Sequence, residues 1–545
     1  MKKFVLFSLL LVFPVSFCLA QNYYENTRNQ WLQKAEQYKP ELIITEKRPL
    51  KVVNIIPDDH SFQKWKVLNV NPIDSLYNTP FREKKEVIID FGEHMTGNFS
   101  FSVRSTGLAA DGPLKFKLTF GEVPAEVSVP FDPYPGTLSR GWLQDEIVSV
   151  MYVPETVNIS RRLSFRYVKI ELLGSSPYYD FNIYDIKCLA RTSAKNKPES
   201  LPLSVDPMIR KIDEVSLNTL KECMQTVYED GPKRDQRLWI GDLYLEALGN
   251  NYSFKQHDLT KRCLYLLAGL SDMNGYLLAT IIENPVPRAQ DKQFLYEYAL
   301  LYNASLKDYL EATNDKETAE DLWPVAKRQL DIVRTYVKSD GLMDFEKLNE
   351  EWWVFFDWKE DLYKEVATQG IAVFALKESY KLAQLLGKEK EVADIPALAD
   401  KMTKAARKNL YDKKAGVFVG LGDKQISYAS QIWMILSGIA TKAEGKKALA
   451  ALNTIPGVCY PGTPYMYHYY IQSLINCGMN NEAKDALIKY WGGMINKSAD
   501  TFWEAYDPNN DFISPYDFYP LNSYCHAWSC TPVYFIRKYP EIFQK

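Results

Sequence analysis

Residues 229 to 247 read EDGPKRDQRLWIGDLYLEA, which gathers Asp230, Arg234, Asp235, Arg237 and Asp242 between a Gly-Pro turn and an apolar run. A helix start needs one capping residue, so capping accounts for Asp230 or Asp235 singly but not for the whole set. Three further stretches combine carboxylates or histidine with indoles. EEWWVFFDWKEDLY (350–363) carries Trp352, Trp353, Asp357 and Trp358, and ADTFWEAYDP (499–508) carries Trp503, Glu504 and Asp507. SYCHAWSC (523–530) carries His526 and Trp528. Each has a plain structural reading: a surface ion pair, a core tryptophan, a solvated carboxylate, a hydrogen-bonded core histidine. Together they fit cleavage of a glycosidic bond. That reaction needs one carboxylic acid to protonate the departing oxygen and a second carboxylate to act as base or nucleophile. Flat aromatic faces meanwhile cover the C–H faces of a sugar ring.

Two blocks of different periodicity must position these clusters. Between about 50 and 195, segments such as KKEVIIDFG, GNFSFSVRS, LKFKLTFGEV and RRLSFRYVKIELL are short and rich in β-branched and aromatic residues. Gly, Pro, Asp and Asn separate them, which predicts an antiparallel sandwich. From 207 onward apolar residues recur at three- and four-residue steps, in paired segments joined by short polar turns. Roughly a dozen such helices predict an (α/α)6 barrel; a helical solenoid is the rival, but no fixed repeat period supports it. The fold class is therefore multidomain α+β. It comprises a β-sandwich with its leading segment (21–195), a linker (196–206) and a helical catalytic domain (207–545).

Bulk properties narrow the function classes. The chain has 545 residues and a net charge of −3 from 65 basic and 68 acidic residues, well mixed. This gives no reason to expect a nucleic acid or an anionic membrane as partner. Lys2 and Lys3 precede the apolar run FVLFSLLLVFPVSF, and small residues then lead to Gln21. Residues 1–20 read as a signal peptide cleaved after Ala20, which predicts export, most simply to the periplasm. A lipoprotein reading would use Cys18, but Phe17 stands where a small residue is needed. No later segment is apolar enough to span a bilayer. The remaining seven cysteines are odd in number and scattered, with Cys525 and Cys530 the nearest pair. No His/Cys spacing suggests a metal site, and no cofactor is expected.

The opening stretch resembles the signature of glycoside hydrolase family 78, the bacterial α-L-rhamnosidases, which runs Asp-Cys-Pro-x-Arg-(Asp)-Glu-(Arg/Lys)-x-Gly-Trp-x-Gly-Asp. GTPYMYHYYIQSLINCGMNNEAKDALIKYWGGMINKSADTFWEAYDP and SYCHAWSCTPVYFI are similar to the last third of that family's catalytic domain. IIDFGEHMTGNFSFSVRS and FRYVKIELL look like its N-terminal sandwich, so the likeness covers about 90 to 540. It implies an (α/α)6 barrel, a substrate ending in α-L-rhamnose, and inverting hydrolysis with no metal in the chemical step.

Carried over by position, the resemblance makes Asp230, Arg234 and Asp242 holders of sugar hydroxyls through charge-assisted hydrogen bonds, with Trp239 covering the apolar face. Asp357 and Trp358 resemble a pair lining the sugar pocket, with Trp353 and Trp503 as further aromatic surfaces. Glu504 aligns with the general base and His526 with a sugar-contacting histidine. The general acid is where the sequence departs. Counting from Asp230 to Asp242 by the shorter form of the motif puts Asp235 on that position, whereas the longer form puts Gln236 there, which has no proton to give. Gly231 replaces the motif cysteine. The end at Lys545 predicts that the family's C-terminal sandwich is missing. Three readings result: an exported α-L-rhamnosidase, a related exo-glycosidase for another terminal sugar, or a sugar-binding homologue without activity.

Overall fold

The computed structural model describes residues 22–545, so the signal-peptide expectation lies outside the described residues. The N-terminal region is organised by one long strand, Glu86–Thr106. Its first half pairs with Lys51–Pro57 and Leu163–Gly174, and its second half lies between Glu155–Asn158 and Asp180–Thr192. All pairings are antiparallel, and the register shifts between Asp90 and Met95. The expected sandwich therefore takes the form of one connected nine-stranded sheet, because this strand changes partners along its length instead of ending at a layer boundary. Phe91, Phe99, Phe120 and Phe165 fill the core edge to face, with Phe99 and Phe120 centroids 5.1 Å apart.

The leading segment adds the strand Ile43–Lys47 to that sheet, paired with Asp180–Thr192, but its helix lies elsewhere. That helix, Arg28–Gln37, docks on the helix His257–Gly269, burying Trp31 and pairing Lys34 with Asp321 at 2.7 Å.

Helices begin at Pro207, where Asp206 caps the amides of Met208 and Ile209. Six helices alternate with six others along the chain. Ile240–Asn251 packs on Tyr296–Thr313, which packs on Glu365–Leu386; next come Tyr428–Leu436 and Pro464–Asn476, and Pro532–Lys538 returns to Ile240–Asn251. These are buried on most faces, which matches their nearly continuous apolar text. Their partners, such as Ile395–Asn409, bury a single stripe of residues at three- and four-residue steps. Loops at one end carry the aromatic and acidic clusters. The seven described cysteines are free and buried, and Cys525 lies against Cys223, Sγ to Sγ 4.0 Å, rather than pairing with Cys530. Among the described residues no helix is long and apolar enough to cross a membrane, and no cluster of metal-ligating side chains occurs.

Candidate active site

The 229–242 stretch folds into a tight loop that ends on the helix Ile240–Asn251. Asp230 closes it: its amide donates to the Arg237 carbonyl at 3.0 Å, and its Oδ1 accepts from the Arg237 amide at 3.0 Å. Gly231 is needed there, since a Cβ would come 2.4 Å from the Arg234 carbonyl oxygen. The strand Arg237–Trp239 then pairs with Thr280–Ile282 and delivers Asp242 to the first helical turn. Gln236 has φ +62° and its amide donates to the Pro232 carbonyl at 2.9 Å, away from the cavity. Asp235 lines the cavity and keeps 16% of its side chain exposed.

Glu504 comes to the same cavity from the far end of the chain. Its amide donates to the Ser523 carbonyl at 2.9 Å, and the Ser523 amide donates back to Oε2 at 3.1 Å. Arg234 stands between the two acids, with Nη2 2.6 Å from Glu504 Oε2 and Nη1 3.3 Å from Asp235 Oδ1. Its Nε donates to the Leu521 carbonyl, and its guanidinium lies 4.2 Å from the Tyr516 ring centre. The Tyr516 hydroxyl donates to Glu504 Oε1. Arg234 thus spends three of its five N–H groups on protein acceptors, bridging the two carboxylates while still lining the cavity.

The cavity, about 390 Å³, is walled by Trp239, Tyr298, Trp353, Phe355, Trp358 and Trp528, and floored by Asp230, Asp242, Glu504 and His526. Most residues singled out in the sequence meet here; Trp352, Arg237 and Asp507 do not, and neither do two of the residues assigned to the sugar pocket. Trp503 is buried against Phe62, ring centres 4.3 Å apart, on the other side of the segment that carries Glu504. Asp357 accepts from the Gly462 amide at 2.7 Å and the Thr463 hydroxyl at 2.5 Å, and it borders a neighbouring groove. Tyr298, Phe355 and Tyr516 were not singled out. Tyr298 and Phe355 sit in text that reads as core, and Tyr516 lies in a loop with no neighbouring motif.

Burial alone would raise Glu504, but Arg234 beside it holds the carboxyl at about 2. Burial, reinforced by the charge of Asp235, pushes Asp230 up to about 8. Burial with the charges of Asp230 and Glu504 pushes Asp242 well above the carboxylate range. His526 is driven down to about 4 by burial. At neutral pH the floor therefore presents one ionised glutamate, two protonated aspartic acids and a neutral imidazole. Asp242 Oδ1 and His526 Nδ1 face each other at 3.8 Å, and neither has a hydrogen-bond partner. Buried polar atoms of this kind are normally satisfied, so ligand hydroxyls are their natural partners.

The N-terminal sheet region holds this site from outside. Glu126 and Glu122 bind Lys233 Nζ at 2.7 and 3.1 Å, and Lys233 also donates to the Asn522 carbonyl. Arg162 makes a two-pronged contact to Glu229 at 2.8 and 2.7 Å. Phe131 and Leu143 pack on Tyr516 and Leu521. Both acid-bearing loops are thus anchored to the same neighbour.

Comparisons with known proteins place the chain in a family. Residues 49–190 match the α-rhamnosidase N-terminal domain of glycosyl hydrolase family 78, and residues 203–539 match the bacterial α-L-rhamnosidase six-hairpin glycosidase domain. A Klebsiella oxytoca rhamnosidase solved with rhamnose bound is 38% identical, with a TM-score of 0.90, covering 94% of this chain and 99% of that one. A family 78 rhamnosidase of Bacillus sp. GL1 shares the fold at 22% identity and a TM-score of 0.68, over 83% of this chain and 46% of its own. A Streptomyces avermitilis α-L-rhamnosidase does so at 17% and 0.65, over 92% and 44%. No curated protein sequence matches the chain. With the family's two domains covering most of its length, and a carboxylate pair in a sugar-sized cavity, the chain belongs to glycoside hydrolase family 78, the α-L-rhamnosidases.

Proposed function

We propose that this glycoside hydrolase, exported by its N-terminal signal, releases terminal α-L-rhamnose from glycans with inversion, on a barrel made of six helical hairpins. The alternation of inner and outer helices supports the (α/α)6 reading, and Lys2, Lys3 and the apolar run after them support export. Asp235 gives its proton to the glycosidic oxygen as the bond to the anomeric carbon breaks. Glu504 takes a proton from a water that attacks that carbon from the opposite face. Asp230, Asp242 and His526 receive the ring hydroxyls, and the indoles cover the apolar face and the 6-methyl group.

The observation that carries this reading is the Arg234 bridge. A planar guanidinium sets its terminal nitrogens only about 2.3 Å apart, so two carboxylate oxygens held at 3.3 and 2.6 Å lie within about 8 Å of each other. Oxygens that close lie within reach of one glycosidic bond; the ceiling covers both the roughly 5–5.5 Å spacing of retaining sites and the lower part of the roughly 6.5–9.5 Å spacing of inverting ones, so the product anomer distinguishes the two. Bound L-rhamnose in the Klebsiella relative supports the choice of sugar. Proton NMR during hydrolysis of an aryl α-L-rhamnoside should show β-L-rhamnose first, with the α anomer growing only by mutarotation. An α-first product would replace inversion with retention.

The titrating groups also set a pH profile. Glu504 and His526 change charge at about 2 and 4, so neither lowers kcat/KM between pH 5 and 7. Asp230 keeps its proton up to about pH 8 and loses it above, and then has no proton to donate to a ring hydroxyl. We expect kcat/KM to fall as pH rises through about 8, and Asp230→Asn, which cannot ionise, to move that fall upward. An unmoved alkaline limb would assign it to another group.

A further inference from the structure

A second cavity, about 2200 Å³, opens beside the first, and Trp353, Phe355 and Trp358 are a wall common to both. It is more than five times larger and open to solvent, so a ligand whose terminal ring enters the first cavity can continue along it. Two large aromatic faces are left bare to water on this side: Trp353 is 41% exposed and Tyr460 54%. Neither is loose. The backbone of Trp353 is pinned by hydrogen bonds to Phe294 and Tyr296, and the Tyr460 ring rests on Tyr428 with centres 5.1 Å apart.

Asp357 ties the two platforms together. It sits next to Trp358 in sequence and accepts from Gly462 and Thr463, which directly follow the Tyr460 turn, so one buried carboxylate fixes both segments. Charges along the groove are mixed, Lys359 and Lys489 against Glu360, Asp361 and Asp507. No single sign dominates, so the groove offers no field for a polyanion. Exposed aromatic faces among polar edges match pyranose rings, whose apolar faces are bordered by hydroxyls.

We propose that this groove is an extended subsite for a neutral oligosaccharide, binding at least two sugar rings on the leaving-group side of the rhamnose. The proposal rests on the rhamnosidase reading above and names the substrate class. Asp357 is then a positioning residue for the platforms, not a wall of the rhamnose pocket.

The test compares kcat/KM for an aryl α-L-rhamnoside with that for rhamnose-terminated neutral di-, tri- and tetrasaccharides, in the wild type and in Tyr460→Ala. Tyr460 is outside the rhamnose pocket, so the variant should keep aryl rhamnoside turnover within twofold. Wild-type kcat/KM should rise with chain length, and Tyr460→Ala should lose about five- to tenfold on the tri- and tetrasaccharide, the size of one aromatic contact. Flat chain-length dependence, an equal loss on every substrate, or a preference for a flat polyphenolic rhamnoside would overturn the groove while aryl turnover upholds the pocket. Absence of turnover on every rhamnoside would instead remove the reading on which it rests.

Discussion

Asp235→Asn will lower turnover of rhamnosides with alkyl or sugar leaving groups by about 10²- to 10⁴-fold, the usual contribution of a positioned general acid. Asparagine has the shape of the acid and can still meet Arg234 and Arg237, so the loop should keep its fold. What disappears is the proton. Leaving groups that depart without one, such as dinitrophenolate, should therefore lose tenfold or less. That split separates a missing acid from a disordered site, which would slow every substrate alike. Glu504→Gln makes the contrast. The attacking water needs its base whatever the leaving group, so both substrates should fall together by 10² or more. Rhamnose binding measured by calorimetry guards against a folding artefact, because Glu504→Gln also removes the anion that Arg234 pairs with in the interior. Near-wild-type turnover of an alkyl rhamnoside by Asp235→Asn would sink the acid assignment.

Much of this site was legible because its residues are chemically unusual where they stand. Asp242 and Glu504 are carboxylates in apolar or aromatic text, and Asp230 and Asp235 crowd with charges that no helix cap needs; burial of such groups needs a reason. Counting favours Asp235 over Gln236 because the shorter spacing closes without a gap. The loop geometry supports that choice, since Gln236, in a left-handed conformation, turns its side chain onto Pro232 while Asp235 lines the cavity. Trp503 misled for a related reason. Consecutive side chains of a non-helical segment leave it on opposite sides, so with Glu504 toward the cavity Trp503 goes to the core beside Phe62. Tyr516 carried no signal, because its partner Glu504 is reached only after the loop closes. In the sequence the leading segment is grouped with the sheet region and the helix Arg28–Gln37 is not singled out, since its neighbour His257–Gly269 is reached only after the chain folds.

The β region showed its strands in the sequence but not its purpose, and Lys233 is where that purpose can be measured. Lys233→Met should destabilise the protein by about 3–5 kcal/mol, the cost of removing one partner from a buried ionic cluster. The lysine side chain is 3% exposed and its acceptors Glu122 and Glu126 are 0% and 3%, so water cannot replace it. Even with Lys233 present, burial lifts Glu126 to about 7, while Lys233 and His94 hold Glu122 below its ordinary value against burial. Without the lysine both carboxyls must take up protons to stay inside. Their folded pKa values then lie above the unfolded ones, so the variant is most stable at low pH and loses stability as pH rises. Denaturant titrations at pH 5 and pH 8 should show the gap to wild type widening at the higher pH, and Glu122→Gln with Glu126→Gln in the same chain should close most of it. A small, pH-independent loss would mean that the cluster is not the anchor. Lys233 adjoins Arg234 and also holds the Asn522 carbonyl, one residue from Ser523, so the same variant loosens the loops of both acids at once. Its kcat should fall even at pH 5, where most of the fold is retained, because the proposed acid and base tolerate little drift relative to each other. The sheet region is in that sense part of the catalytic geometry: it contributes no group to the cavity and fixes the distance between the two that matter.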